Sequence, residues 1–144
     1  MQVLVTGAAG YIGSHALRAV ARAGHSPIAL DNLSCGHRAA VPPEVPFHEL
    51  DVRETDKVEQ LLKDAHIDCV MHFAALSLVG ESVKEPLKYY ENNTGGTLSL
   101  LKAVERAGTP RLVFSSTCAT YGEPSEMPIR ETTPQSPINP YGWS

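Results

Sequence analysis

A chain of 144 residues has the material for one domain with a real core, since about 150 residues bury roughly 70% of the surface that their unfolded form exposes. With 42% hydrophobic and 19% charged residues, the composition is that of an ordinary globular protein and excludes a disordered or fibrous one. A net charge of −4 without any Lys/Arg cluster leaves no footprint for a phosphodiester backbone, so nucleic acid is not an expected partner.

No apolar run approaches the ~18 to 20 residues that span a bilayer. Met1-Gln2-Val3-Leu4-Val5 runs straight into Gly7 without a signal-peptide layout, so no membrane partner and a cytoplasmic location are expected. The three cysteines, Cys35, Cys69 and Cys118, are widely spaced and form no CxxC pair. They suggest neither a disulfide framework nor a zinc site, and no metal is expected. His72, in an apolar strand-like run, reads as a satisfied core or rim residue rather than a ligand.

Taken in order, Val3-Leu4-Val5 is a β-rich run ending in Thr6-Gly7, and from Tyr11 to Ala23 the apolar residues Ile12, Ala16, Leu17, Val20 and Ala21 recur at helical spacing. Gly24 stops that helix, Pro27-Ile28-Ala29-Leu30 is a second strand, and Asp31 sits at its end. Asn32 to Pro46 reads as a loop with one helical turn near Arg38-Ala39-Ala40. Phe47 to Leu50 is a third strand. Thr55 is expected to cap a helix that runs through Lys63 with Val58, Leu61 and Leu62 inward, and Cys69 to Phe73 is a fourth strand. A long helical stretch follows from about Glu85 to Ala107, weakened at Gly95-Gly96, and Leu112-Val113-Phe114 is a fifth strand. From Tyr121 onward, repeated prolines preclude long elements and leave an ordered loop. The alternation predicts an α/β fold over residues 1–144, a Rossmann-like doubly wound parallel sheet, with no second domain.

Gly7-Ala8-Ala9-Gly10-Tyr11-Ile12-Gly13 opens a helix directly after a strand, the context that makes a glycine pattern informative. A tight turn, backbone able to touch a pyrophosphate, and a helix N-terminus with free N–H groups are what a dinucleotide needs. Gly7, Gly10 and Gly13 are therefore the first candidate cofactor residues. Asp31 is placed to accept hydrogen bonds from a ribose and would repel a 2′-phosphate, which favours NAD over NADP. Asp51-Val52 either flank an adenine or, for Asp51, cap a helix.

The set Thr6-Gly7 with its glycine spacing, Asp31-Asn32-Leu33, Asp51-Val52, His72-Phe73-Ala74-Ala75, Asn92-Asn93, Phe114-Ser115-Ser116-Thr117 and Pro140-Tyr141-Gly142 covers the whole chain. In that order it resembles the extended short-chain dehydrogenase/reductase family. Gly80-Glu81-Ser82-Val83-Lys84-Glu85-Pro86-Leu87 ahead of Tyr89-Tyr90, and Asp31 through Arg38, are similar to the UDP-galactose 4-epimerase family within it. Cys118-Ala119 stand where related dehydratases carry an Asp-Glu pair, so dehydration is not expected.

The resemblance implies NAD as cofactor and a UDP-sugar as substrate. It assigns Tyr11-Ile12 to the pyrophosphate, Asp31 and Asn32 to the adenosine ribose, and Asp51-Val52 to the adenine. Phe73, Ala74, Ala75, Leu76, Ser77, Asn92 and Ser115 go to the rest of the cofactor. Ser77 replaces a lysine found in many relatives, which implies a weaker contact there. Tyr141 matches the tyrosine that takes the sugar 4-OH proton, and Thr117 the hydroxyl residue beside the same oxygen; without the family, Tyr141 reads as a loop tyrosine.

The resemblance implies that the family's pKa-lowering lysine falls one position past Ser144 and that the last sheet strands and the substrate domain lie outside these residues, so the sheet is expected to be incomplete at its C-terminal side and epimerase activity of these residues alone to be impaired. A catalytically silent NAD(H)-binding module and another nucleotide-sugar epimerase are the alternatives. The fifth strand is expected to be an exposed edge that invites self-association.

Overall fold

The computed structural model describes residues 1–144, which divide into two compact units. The first comprises Met1–Ala75 and Gly96–Ser115, the second Leu76–Gly95 and Ser116–Ser144.

The first unit is built on strands β1 (Gln2–Thr6), β2 (Ser26–Asp31), β3 (Phe47–Glu49), β4 (Cys69–His72) and β5 (Leu112–Phe114). They form one parallel sheet in the order β3-β2-β1-β4-β5. Helices α1 (Tyr11–Arg22), α2 (Thr55–Asp64) and α5 (Gly96–Ala107) make the crossovers, the last of which closes a segment containing α3 (Val79–Lys84) and α4 (Pro86–Tyr89).

Alternation along the strands feeds two separate apolar layers, because successive side chains of a strand point to opposite faces. Val3 and Val5 of β1, Ala29 of β2 and Cys69 of β4 pack with Leu17 and Val20 of α1. Leu4, Ile28, Leu30 and Val70 pack on the other face with Val58 and Leu62 of α2 and Leu100 and Ala103 of α5. The near-continuous apolar strands of the sequence are thus explained by a sheet covered on both faces, a Rossmann-like doubly wound fold. β5 lies at one edge, with Val113 and Phe114 about half exposed.

Boundaries follow the expectations closely, with three differences. Thr55 does not cap α2: it is the first helical residue, Glu54 takes the N-cap without a side-chain bond, and the Thr55 hydroxyl lies 2.6 Å from that of Ser99 on α5. The stretch expected as one helix from Glu85 to Ala107 is α4, a π-helical segment at Tyr90–Gly95, and α5. α3 was not legible at all, since only Ser82 of its residues is buried and no apolar period marks it.

The second unit holds α3, α4, the π segment, a 3-10 turn at Cys118–Tyr121 and α6 (Pro140–Trp143). No helix of the chain is long and apolar enough to cross a membrane.

Leu4 is fully buried at the centre of the sheet. Leu4→Ala is expected to lower stability by about 2–5 kcal/mol, the range for a buried leucine that leaves a cavity, measured by urea unfolding; a loss under about 1 kcal/mol would contradict this packing.

Candidate functional site

Between β1 and α1 the backbone makes a turn that only glycine accommodates at two points. Gly7 has φ +66, and a Cβ on it would stand 2.7 Å from the backbone of Phe73 and Ala74. A Cβ on Gly13 would stand 2.0 Å from the Gly7 carbonyl oxygen, so the first turn of α1 crosses directly over the end of β1. Gly10, the N-cap, is less constrained: its nearest obstacle would be 3.2 Å away. The N–H of Gly10 donates to the Gly7 carbonyl at 3.1 Å and that of Ser14 to the Gly10 carbonyl at 3.0 Å, and no side chain caps α1. The next N–H groups of the first turn are the ones that lack intrahelical partners. Tyr11 and Ile12, the first two helical residues, are 84% and 59% exposed. This is an open helix N-terminus of the kind that binds anions.

Asp31 closes the turn from the side. It is buried, and its two carboxylate oxygens accept the N–H of Ala9 at 2.9 Å and that of Leu33 at 2.8 Å. Each oxygen keeps a lone pair for a further donor. The Asn32 amide donates to Asp51 Oδ2 at 2.9 Å, which carries the network from β2 to the end of β3. Arg53 donates to Asp51 through Nε at 2.9 Å, Nη2 at 2.7 Å and its backbone N–H at 2.8 Å. With Asn32 added, this guanidinium holds the Asp51 carboxyl well below the usual carboxylate range despite partial burial. Asp51 thus orders the turn ahead of α2 and links it to Asn32, while the Val52 side chain is buried in the second apolar layer.

After β4, the Phe73 N–H donates to the Thr6 carbonyl at 3.2 Å and the Ala74 N–H reaches Thr6 Oγ1 at 3.4 Å. Phe73 and Ala74 are thereby held against Gly7, while Ala75 is exposed. Ser115, just past β5, donates its N–H to the His72 carbonyl at 3.1 Å. His72 is the buried residue its surroundings suggested: Nδ1 lies 2.7 Å from Thr6 Oγ1 and Nε2 3.1 Å from Thr97 Oγ1. Burial pushes its pKa down to about 4.

The second unit contains Leu76, Ser77, Asn92, Thr117 and Tyr141. Two residues that the sequence motifs contain without a role assigned to either organise it. Asn93, in the π segment, accepts the Leu76 N–H at 2.8 Å and donates to the Leu76 carbonyl and to Ser144 Oγ, each at 3.0 Å; Asn92 donates to it at 3.0 Å. Tyr89 is fully buried, with its hydroxyl 2.7 Å from Glu81 Oε2 and accepting the Leu78 N–H at 3.0 Å. Its ring meets Tyr141 edge-on, with centroids 6.3 Å apart. Thr117 caps the 3-10 turn by accepting the Ala119 N–H at 3.2 Å. Asn139 caps α6 by accepting the Gly142 N–H at 2.8 Å. A Cβ on Gly142 would stand 2.6 Å from the Ala119 carbonyl oxygen, so the Thr117 and Tyr141 segments pack together; no hydrogen bond joins the two hydroxyls.

Residues 3–144 match the model of the NAD dependent epimerase/dehydratase family. The chain belongs to this family. It is 56% identical over 142 residues to a UDP-glucose 4-epimerase of Lactobacillus helveticus, covering 99% of this chain and 43% of that protein. Among solved structures, UDP-glucose 4-epimerase from Brucella ovis in complex with NAD aligns with a TM-score of 0.95 at 48% identity, over 99% of this chain and 43% of that one. The UDP-glucose-4-epimerase from Stenotrophomonas maltophila with bound NAD and formylated UDP-arabinopyranose aligns with a TM-score of 0.96 at 39% identity, over 99% and 45% respectively. The chain thus spans less than half the length of the relatives it matches.

Gly13→Ala drives a Cβ into the Gly7 carbonyl and is expected to destabilise by about 1–3 kcal/mol, the usual cost of overpacking; Gly10→Ala should cost clearly less in the same thermal melts, and the reverse order would refute this turn. His72 has a folded-state pKa of about 4, below its ordinary 6.5, so folding favours the neutral ring. Its contribution is complete above pH 6.5 and is lost as pH falls toward 4. Urea unfolding should show stability falling by up to about 3 kcal/mol through that window, with a visibly flatter profile in His72→Gln.

Proposed function

We propose that this chain provides the NAD-binding part of a UDP-glucose 4-epimerase, which interconverts UDP-galactose and UDP-glucose through a transient 4-keto sugar. The observation that carries the reading is the glycine turn joined to a buried Asp31 at the carboxyl ends of β1 and β2. The fit to the cofactor's ADP half rests on that geometry. A Cβ at Gly7 or Gly13 would fill the turn, the helix start is uncapped, and Asp31 has lone pairs left for ribose hydroxyls.

In this reading the first-turn N–H groups at Tyr11, Ile12 and Gly13 face the pyrophosphate, and Asp31 with Asn32 holds the adenosine ribose. Asp51 and Val52 border the adenine. Phe73 through Ser77, Asn92 and Ser115 serve the remainder. NAD held there would supply the acceptor and donor of the hydride at the sugar's C4. Tyr141 takes the proton of the sugar 4-OH and gives it back, and Thr117 bonds the same oxygen. Tyr89 and the Asn139 cap hold the ring of Tyr141 for that role. High identity to UDP-glucose 4-epimerases over nearly the whole chain supports the assignment.

Titrating the 144-residue chain with NADH, followed by fluorescence, should give saturable binding, with NADPH at least about ten-fold weaker because a 2′-phosphate meets the Asp31 carboxylate. Turnover of UDP-galactose in a coupled assay is expected to be low for these residues alone. Absence of saturable NADH binding, or a preference for NADPH, would overturn the reading.

A further inference from the structure

The loop that follows Asp31 is fastened to the glycine turn through Ala9. The Ala9 N–H donates to Asp31 Oδ2 at 2.9 Å, and the Ala9 carbonyl accepts the His37 N–H at 3.0 Å. Ala9 is buried. Leu33, just after Asp31, sits at φ +56, a conformation stabilised by its N–H bond to Asp31 Oδ1 at 2.8 Å. Farther on, Arg18 of α1 donates to the Ser14 carbonyl at 2.8 Å and to the Ala40 carbonyl at 3.1 Å, tying the end of the loop to the same helix.

At the centre of this strap stands Gly36. A Cβ there would meet Ala9 Cβ at 2.8 Å, the Ala9 carbonyl carbon at 2.9 Å and its oxygen at 3.1 Å. Space against the turn, rather than backbone conformation, is what demands glycine at this position. Two of the three obstacles are backbone of the turn itself, so neither partner can yield by a side-chain rotation.

We propose that Gly36 is a positioning residue that clamps the loop from Asp31 to His37 onto the glycine turn. The segment offering ribose acceptors and the segment offering phosphate donors then form one preorganised frame for the ADP half of a dinucleotide. This rests on the cofactor reading given above. Gly36 has no side-chain atom to offer a ligand, so a substitution there acts on affinity through its fit against Ala9. Lifting the strap stretches the bonds at both the N–H and the carbonyl of Ala9 and moves Asp31 relative to the helix start, so every ligand that uses the frame is weakened together.

The test compares the 144-residue chain with Gly36→Ala and with Gly36→Ala/Ala9→Gly, using NADH and ADP as probes. Gly36→Ala is expected to weaken both by a similar factor of roughly ten or more, the size that overpacking strain carries into an affinity. The thermal midpoint without ligand should fall less than in Gly13→Ala, because the strap can lift off the turn whereas the first turn of α1 cannot leave the end of β1. Removing the Ala9 Cβ clears the closest contact, so the double variant should regain part of the loss. Amide hydrogen exchange at Ala9 and His37 needs no ligand and should be faster in Gly36→Ala. If the parent chain fails to bind NADH, the cofactor reading falls and the exchange rates still judge the clamp. Unchanged exchange at Ala9 and His37, or Gly36→Ala binding NADH and ADP as the parent does, would overturn it.

Discussion

The hydrogen bond from the Ala9 N–H to the carboxylate of Asp31 joins the first βα turn to the end of the second strand, and the rest of the site is arranged around it. A carboxylate as buried as Asp31 is costly unless its charge meets donors. Here the donors are backbone N–H groups, one from the turn and one from Leu33, so satisfying the charge fixes the course of the chain on both sides. The same requirement leaves the carboxylate with unused lone pairs directed where the sheet's strands end, which is where an α/β sheet places its ligand. In the proposed reading, structural and recognition roles thus fall on one side chain.

The parts legible in the sequence are those imposed by local constraints. Gly7 is forced by a positive φ and Gly13 by a helix crossing a strand, and both belong to a spacing of seven residues that can be read in one dimension. The strands announce themselves because a sheet covered on both faces needs apolar runs, and Leu4 with Val3 and Val5 supplies one for each layer. Asp31 could be placed at a strand end for the same reason. What could not be read is what the chain does when it returns to itself. Gly36 looks like any loop glycine until Ala9 stands opposite it, and Asn93 looks like its neighbour Asn92 until the backbone of Leu76 takes up its amide. Thr55 followed the capping pattern yet bonds Ser99 instead, a tertiary partner overriding a local preference. The N-cap of α2 is Glu54, and Asp51, for which the capping and adenine readings were equal from sequence, takes another place. Its carboxylate orders the turn before α2 through Arg53, and it also reaches Asn32 next to Asp31.

His72 illustrates how a polar residue can sit in this core without chemistry. Between two threonine hydroxyls its ring has a partner for each nitrogen, and because hydroxyls can donate or accept, either neutral tautomer is satisfied. A charged ring would need to donate twice in a site stripped of water. The downward pKa is the expression of that preference, and it removes His72 from acid-base work near neutrality.

Tyr141 is held on different terms. The helix that carries it, Pro140–Trp143, is too short to persist through its own backbone bonds, since helix nucleation in water is unfavourable until many residues join. Its position is instead set by contacts of other kinds: proline at the first helical position, the Asn139 side chain on the Gly142 N–H, the close fit of Gly142 over Ala119, and the edge of Tyr89. Tyr89 in turn is anchored through its hydroxyl to Leu78 and Glu81, and Glu81 is paired with Lys88. The orientation of Tyr141 is therefore a property of this packed cluster rather than of helix propensity, so substitutions at Tyr89 or Asn139 act on Tyr141 through its packing.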